Sequence, residues 1–281
     1  LPIERRAITA CASGTRLAAT MLAVLLAAKG GPASAQAAPA GVAPIAQLRL
    51  QREAGHYVAR ADNRLQGPIE VELRYRQADN VAAAPRLPAR TVVPAGGSVV
   101  VARFYPADAR QGEELALSLD ALPGDPRARA REAVYRLPFA RPQVRVDQAF
   151  GGSHSHTDAQ NHYAVDFALP EATPVLAARR GTVMQVEQDA RAGGGQAANL
   201  VRILHEDGSM AVYAHLQHAS AQVRPGQVVD AGQPLALSGN TGQSSAPHLH
   251  FAVQINRGMR LVSIPFRMQG PSGELRFPRS D

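Results

Sequence analysis

Apolar and polar residues alternate along most of this chain with a period of two, in short bursts separated by turn residues. From residue 47 the bursts fall at 47–52, 56–61, 69–76, 98–105, 114–119 and 133–137. Between them stand Asp62-Asn63, Gln66-Gly67-Pro68, Pro94-Ala95-Gly96-Gly97 and Pro123-Gly124-Asp125-Pro126. Alternation places successive side chains on opposite faces of a strand. Short strands at this spacing, with no helical period, predict an all-β sandwich of immunoglobulin-like type over 47–141. In 69–76, Ile69, Val71, Leu73 and Tyr75 form the expected inner face, with Glu70, Glu72, Arg74 and Arg76 outside. No set of catalytic residue types occurs in this half, and His56 reads as a surface or edge-strand residue, so a binding or spacing module is expected.

The pattern stays strand-like to the end, but its chemistry changes near Arg141-Pro142, and eight of the nine histidines lie beyond residue 150. Gly151-Gly152 opens a polar loop with His154, His156 and His162. In 163–169, Tyr163, Val165, Phe167 and Leu169 point one way, and Asp166 points the other among alanines. Strands follow at 174–178, 181–187 and 200–204. The last pairs with 210–216 in a hairpin turning at Asp207-Gly208, where Met210, Val212, Ala214 and Leu216 oppose Tyr213 and His215. Two short strands within 223–237 are broken by Pro225-Gly226 and Gly232-Gln233. In Pro247-His248-Leu249-His250-Phe251, the two histidines share one face, while Leu249, Phe251, Val253 and Ile255 share the core face. Asp166, His215, His248 and His250 are thus expected on faces opposite their strands' apolar residues. Imidazoles with a carboxylate, and no cysteine, are the donor set of a catalytic zinc site with an open position. His205 and His218 read as peripheral.

Composition narrows the setting. The 281 residues carry a formal charge of +7. Arg5, Arg6, Arg16 and Lys29 against Glu4 account for +3 of it, leaving +4. No basic run or aromatic-interleaved stripe follows, so nucleic acid is not an expected partner. Basic residues ahead of an apolar run over 17–28, then Ala33-Ser34-Ala35, have the layout of a secretory signal peptide covering 1–35. The run falls short of the roughly 20 residues of a spanning helix, so no stable membrane insertion is expected after cleavage. The single cysteine, Cys11, precedes the apolar run, where no lipidated cysteine would stand. An Ala/Pro/Gly-rich linker over 36–46 and a tail over 271–281 complete the expected organisation. An exported protein, periplasmic or secreted, follows.

Seven fragments occur in a fixed order: Tyr163-Ala-Val-Asp166-Phe-Ala, Thr173-Pro-Val-Leu-Ala-Ala-Arg179, Gly181-Thr-Val183, Tyr213-Ala-His215-Leu216, Val223-Arg-Pro-Gly226, Ser238-Gly-Asn-Thr-Gly242 and Pro247-His-Leu-His-Phe251. The ordered set, over about 144–265, resembles the lysostaphin/LytM-type zinc metallopeptidases of bacterial peptidoglycan. The resemblance implies an antiparallel β-sheet peptidase domain over 142–270 and one Zn²⁺ per chain. It implies Asp166 and His250 as ligands, and His215 and His248 as the catalytic histidines beside them. The third ligand is a histidine upstream of Asp166. The commonest family spacing selects His162, but Ser155-His156 ahead of Tyr163-Ala-Val-Asp166 resembles a branch with an N-terminal β-domain. Tyr163-Ala164-Val165 also lacks the glycine of the short-spacing bend; the resemblance therefore favours His156, with His162 the alternate and His154 a further candidate. The glycine that the family usually places before Thr-Pro-Val is Ala172 here. The chain has no His-Glu-x-x-His helix. The implied activity is hydrolysis of peptidoglycan peptides, with the N-terminal domain available to an envelope protein. The alternative is an inactive domain of the same type that binds or activates another wall hydrolase.

Overall fold

The computed structural model describes residues 22–26, 43–141, 143–195 and 197–277. The leader and linker otherwise lie outside these residues. Among those described, every regular element is a strand, and no helix is long and apolar enough to cross a membrane. In chain order the strands are β1 (Leu22–Leu26), β2 (Ala46–Glu53), β3 (His56–Asn63), β4 (Ile69–Asp79), β5 (Val81–Ala84), β6 (Ala89–Val93), β7 (Ser98–Pro106) and β8 (Glu114–Pro123). There follow β9 (Val134–Arg136), β10 (Val146–Gln148), β11 (Val165–Ala168), β12 (Pro174–Leu176), β13 (Gly181–Glu187), β14 (Leu200–Leu204) and β15 (Met210–Ala214). The last are β16 (Val228–Val229), β17 (Pro234–Leu237), β18 (His248–Asn256), β19 (Leu261–Ser263), β20 (Arg267–Gly270) and β21 (Gly273–Leu275).

The first eight strands make two four-stranded sheets, ordered β1-β8-β4-β6 and β2-β3-β7-β5. Leu48, Ile69, Val71, Leu73, Phe104 and Leu117 fill one core between them. β1, inside the segment read as a leader, adds antiparallel to β8. The alternation in β4 is as expected, but Glu70 and Glu72 are not outside: they are buried. Glu72 pairs with Arg74 and Arg90, and Glu70 accepts the Met259 N–H at 2.6 Å. Tertiary packing covers the second face of β4, which a period-two pattern cannot reveal. His56 stacks on Tyr105 with centroids 5.0 Å apart, away from the other histidines.

The larger sheet runs β10-β11-β18-β15-β14-β13-β16, with β19 beside β18. One face buries Val165, Phe167, Leu249, Phe251, Val253, Tyr213, Val201, Ile203 and Val183. Full burial of each large apolar side chain contributes about 1.5–3 kcal/mol. The buried Tyr213 hydroxyl is satisfied by the Ala178 N–H at 2.7 Å.

The expected boundary at 141/142 moves. Residues 133–137 do not join the sandwich: β9 pairs in parallel with β20, and Tyr135 and Phe139 lie in the second core. Their aromatic bodies pack against Phe251, Phe266 and Phe167. Alternation marks a strand without saying which core it serves. Residues 271–277 also belong here, since β21 pairs with β20 and Phe277 packs on the same core.

The sandwich docks on the opposite face of the large sheet. Met184, Met210 and Leu261 are buried within the sandwich cluster. The Asn256 amide donates to the Gly124 carbonyl at 3.2 Å, and Gln66 N–H to the Met184 carbonyl at 3.0 Å. Gly124 has φ +94°, and a Cβ there would stand 2.8 Å from Met210, so glycine serves both the turn and the close approach. The same sheet face therefore has a covered end and an open one.

Candidate metal centre

The open end is built by register. β11 and β18 are antiparallel, with Asp166 opposite His250 and Ala168 opposite His248. With Phe167 and Leu249 turned into the core, the carboxylate and both imidazoles emerge on the other face. His250 Nδ1 lies 2.9 Å from Asp166 Oδ1, and His248 Nε2 lies 3.8 Å from the same oxygen.

His156 enters from the loop before β11. Its N–H donates to the Gly152 carbonyl at 3.0 Å, closing one helix-like turn. Its ring is completely buried. Nδ1 donates to the Ala149 carbonyl at 2.9 Å, so Nε2 carries the lone pair, 3.2 Å from Asp166 Oδ2. That Nε2 is closed from solvent and has no hydrogen-bond partner. A lone pair and a carboxylate facing one another in a buried site call for a cation between them. The ligand atoms of His156, Asp166 and His250 all lie within 4.8 Å of one another and could hold a metal ion. Two imidazoles and a carboxylate suit zinc in chemistry and number.

His162 is not part of this group. Its ring packs edge-on against Tyr163 with centroids 4.7 Å apart, and its carbonyl accepts the Gly151 N–H. His154 is exposed. Of the three upstream histidines, the loop thus brings only His156 beside Asp166.

His215 reaches the site by a route that alternation does not predict. β15 ends at Ala214, and Tyr213 lies in the core. Met210, Val212 and Ala214 stand on the site face, opposite Gln254, Ala252 and His250. Continued alternation would send His215 to the core side; instead it takes φ +61°, a left-handed turn that a non-glycine residue adopts at a cost. Its ring then lies 4.5 Å from that of His248 and 5.9 Å from that of His250, between centroids.

Backbone carbonyls set both of these tautomers. His215 Nδ1 donates to Thr241 O at 2.7 Å, and His248 Nδ1 to Ala246 O at 2.8 Å. Each therefore offers a lone pair at Nε2. Burial, reinforced by the fields of His250 and His248, pushes His215 down to about 4, so it is neutral at ordinary pH. Burial opposes the charge of Asp166, but the imidazoles of His156 and His250 beside it outweigh burial and hold the carboxyl well below its usual range.

Gln148 holds the loop and the carboxylate together. Its Nε2 donates to Asp166 Oδ2 at 3.1 Å and to Ser155 Oγ at 2.6 Å. Its Oε1 accepts the N–H groups of His154 and Ser155. No pattern in the sequence marks Gln148, and the carbonyls of Ala149, Ala246 and Thr241 have none to give. His205 and His218 stay outside the group, with His205 buried 5.5 Å from Tyr135, centroid to centroid.

The comparisons with known proteins come to the same half of the chain. Residues 160–261 match the model of peptidase family M23. An uncharacterised metalloprotease of Haemophilus influenzae is 36% identical over 140 residues, 49% of this chain and 28% of that protein. The peptidoglycan DD-endopeptidase ShyA of Vibrio cholerae is 36% identical over 118 residues, 41% of this chain and 26% of its own length. Lysostaphin of Staphylococcus simulans is 38% identical over 96 residues, 34% of this chain and 18% of its own. The matched stretches span under a third of each relative. With the motif order and the converging histidines, residues 160–261 are a peptidase family M23 domain of the lysostaphin/LytM type.

Proposed function

We propose that this chain is a zinc-dependent endopeptidase that hydrolyses peptide bonds of bacterial peptidoglycan. The observation that carries the reading is the convergence of His156 Nε2, Asp166 and His250 Nδ1, with the buried His156 Nε2 left without a hydrogen-bond partner. His156, Asp166 and His250 would hold the zinc ion, which would supply Lewis acidity toward the scissile carbonyl and the attacking water. His215 and His248 direct their Nε2 lone pairs toward the same space and keep Nδ1 engaged with carbonyls. Each can accept a proton at Nε2 and return it to the departing amine. Protonated there, each becomes a donor to the developing oxyanion. Peptidoglycan is the substrate because ShyA is by name a peptidoglycan endopeptidase and because the basic, leader-like start fits an exported protein. The same start supports a location in the periplasm or outside the cell, where the sandwich would be available to an envelope protein. Sequencing the N-terminus of the mature protein checks this, since cleavage after Ala35 would remove β1 and leave β8 as a sheet edge.

The test is digestion of purified peptidoglycan by the wild type and by Asp166→Ala, with separation of the released peptides and zinc analysis of both proteins. Wild type is expected to hold one zinc per chain and to release new peptide ends, and the variant to do neither. Equal release by both proteins would sink the mechanism.

A further inference from the structure

We propose that Arg202 is an anion subsite that takes a free carboxylate of the peptide substrate, on the site face of the large sheet next to the sandwich; this rests on the peptidase reading above. Arg202 lies on the same sheet face as the histidines. His250 pairs with Ala214, and one row further along the strands Ala252 pairs with Val212, which pairs with Arg202. That step is about 7 Å. Val212 and Ala252, both buried, separate the histidines from the guanidinium by this one row.

The way the guanidinium is held suggests a receptor for an anion. Arg202 is 7% exposed. Its Nη1 donates to Gln254 Oε1 at 2.7 Å, and its Nε to Gln185 Oε1 at 3.3 Å. Both glutamines are themselves tied, Gln254 to the Gln160 carbonyl at 3.0 Å and Gln185 to Glu187 at 3.0 Å. The fork is therefore fixed in direction by neutral oxygens. Among the described residues no carboxylate comes within ion-pair distance of it, and Glu187 reaches it only through the Gln185 amide. Among the described residues its Nη2 makes no hydrogen bond. A guanidinium stays charged when buried and is costly there unless compensated. Burial lowers its pKa only to about 10, so the charge persists at neutral pH. A glutamine or methionine would fill this space without that cost, whereas a planar fork with a free edge matches a carboxylate.

The sandwich limits what can lie there. One row beyond Arg202, Met210 and the neighbouring Met184 are enclosed in the sandwich core. A peptide following this face meets a wall just past the guanidinium, with Arg202 as the last cation before it. The carboxylate is either the end of the peptide or an acidic side chain near it.

The experiment is calorimetric titration of the full chain with short product-like peptides that are not turned over. Each is made as acid and amide at the terminal carboxyl in one pair, and at a side-chain carboxyl in the other. The wild type is expected to bind the acid form about 10-fold or more tightly in one pair, which identifies the source of the carboxylate. Arg202→Gln is expected to bind acid and amide alike. Arg202→Lys keeps the charge without the fork and is expected to retain only part of the preference. Equal binding of acid and amide by the wild type in both pairs overturns the proposal. So does a full preference in Arg202→Gln or, if that variant does not fold, in Arg202→Lys. Peptidoglycan digestion by the wild type is read separately, so loss of the acid preference is distinguishable from absence of peptidase activity.

Discussion

Two buried aspartates of the peptidase half, Asp166 and Asp207, both sit below the ordinary carboxylate range, yet they do opposite things. Asp207 is surrounded by donors. It accepts Arg131 N–H at 3.0 Å and Arg179 Nη1 at 3.0 Å on one oxygen. The other oxygen takes the Ser209 hydroxyl at 2.7 Å and the Ser209 N–H at 3.1 Å. Every lone pair facing the interior meets a hydrogen, and the linker after the sandwich is fastened to the sheet. Asp166 also has close polar neighbours, but His156 Nε2 brings it a lone pair instead of a hydrogen. A satisfied carboxylate is a tie; a carboxylate facing the buried, unpartnered Nε2 of His156 is a cation site. Burial and pKa direction alone do not separate the two. The positions of the hydrogens do.

The sharpest way to break this comparison is to make the same change at both. Asp166→Asn is expected to lose bound zinc and essentially all peptidoglycan hydrolysis while keeping the fold. Asp207→Asn is expected to keep one zinc per chain and near wild-type turnover while melting earlier. Zinc analysis and thermal unfolding of the pair check this, and loss of metal from both variants would erase the distinction drawn here.

His215 tests the next level. With Nδ1 held by Thr241 O, its Nε2 is expected to carry protons and not metal. His215→Ala should cost about 10²–10⁴-fold in turnover with zinc content unchanged. A variant that loses zinc in proportion to activity would instead make His215 part of the metal's grip.

What the sequence disclosed follows the same physics. Asp166, His248 and His250 were legible because they sit inside strands, where alternation against Phe167, Leu249 and Phe251 fixes their face. His215 was expected on the site for the wrong reason, since Tyr213 turned out to share the core face and a left-handed residue restored the outcome. His156 lies in a loop, where no period exists, and only the resemblance to one branch of the family favoured it over His162. Its selection depends on Gly152 O, Ala149 O and Gln148, groups that a sequence does not distinguish. Glu70 and Glu72 read as ordinary exposed strand positions; tertiary packing buries them. The all-β class was readable throughout, but the strand over 133–137 was assigned to the wrong core for want of a contact.

Acid should report on Asp207 ahead of denaturation at neutral pH. Burial alone would raise its pKa, but the Arg131 N–H, the Ser209 hydroxyl and Arg179 more than offset this and hold it at about 2, against 3.8 when unfolded. A carboxylate depressed by folding contributes stability above its unfolded pKa and loses it as pH falls through the folded value. The expected contribution is about 2 kcal/mol at neutral pH, declining between about pH 4 and pH 2. In urea melts over that range, Asp207→Asn should show a shallower pH dependence than the wild type. Parallel curves would mean that the cluster around Asp207 does not favour its charged form.

The smallest effect sharpens the one departure from the family's motif. Ala172 precedes Thr173-Pro174 and has φ +61°, in the region where a Cβ is unfavourable by roughly 1–2 kcal/mol. Its N–H donates to the Ser238 carbonyl at 2.9 Å, and Thr173 N–H to the Ser238 hydroxyl at 3.0 Å. These bonds hold the turn in shape whatever the side chain. Ala172→Gly removes the strain but frees the unfolded chain by about 0.5–1 kcal/mol. The balance is a gain of about 0.5–1 kcal/mol, read as a modest rise in melting temperature with unchanged turnover and zinc. Both aspartates lie outside this turn, so the gain should add to the loss in Asp207→Asn without altering it. A double variant that departs from additivity would show that the turn at Ala172 and the tie at Asp207 share the same strained sheet.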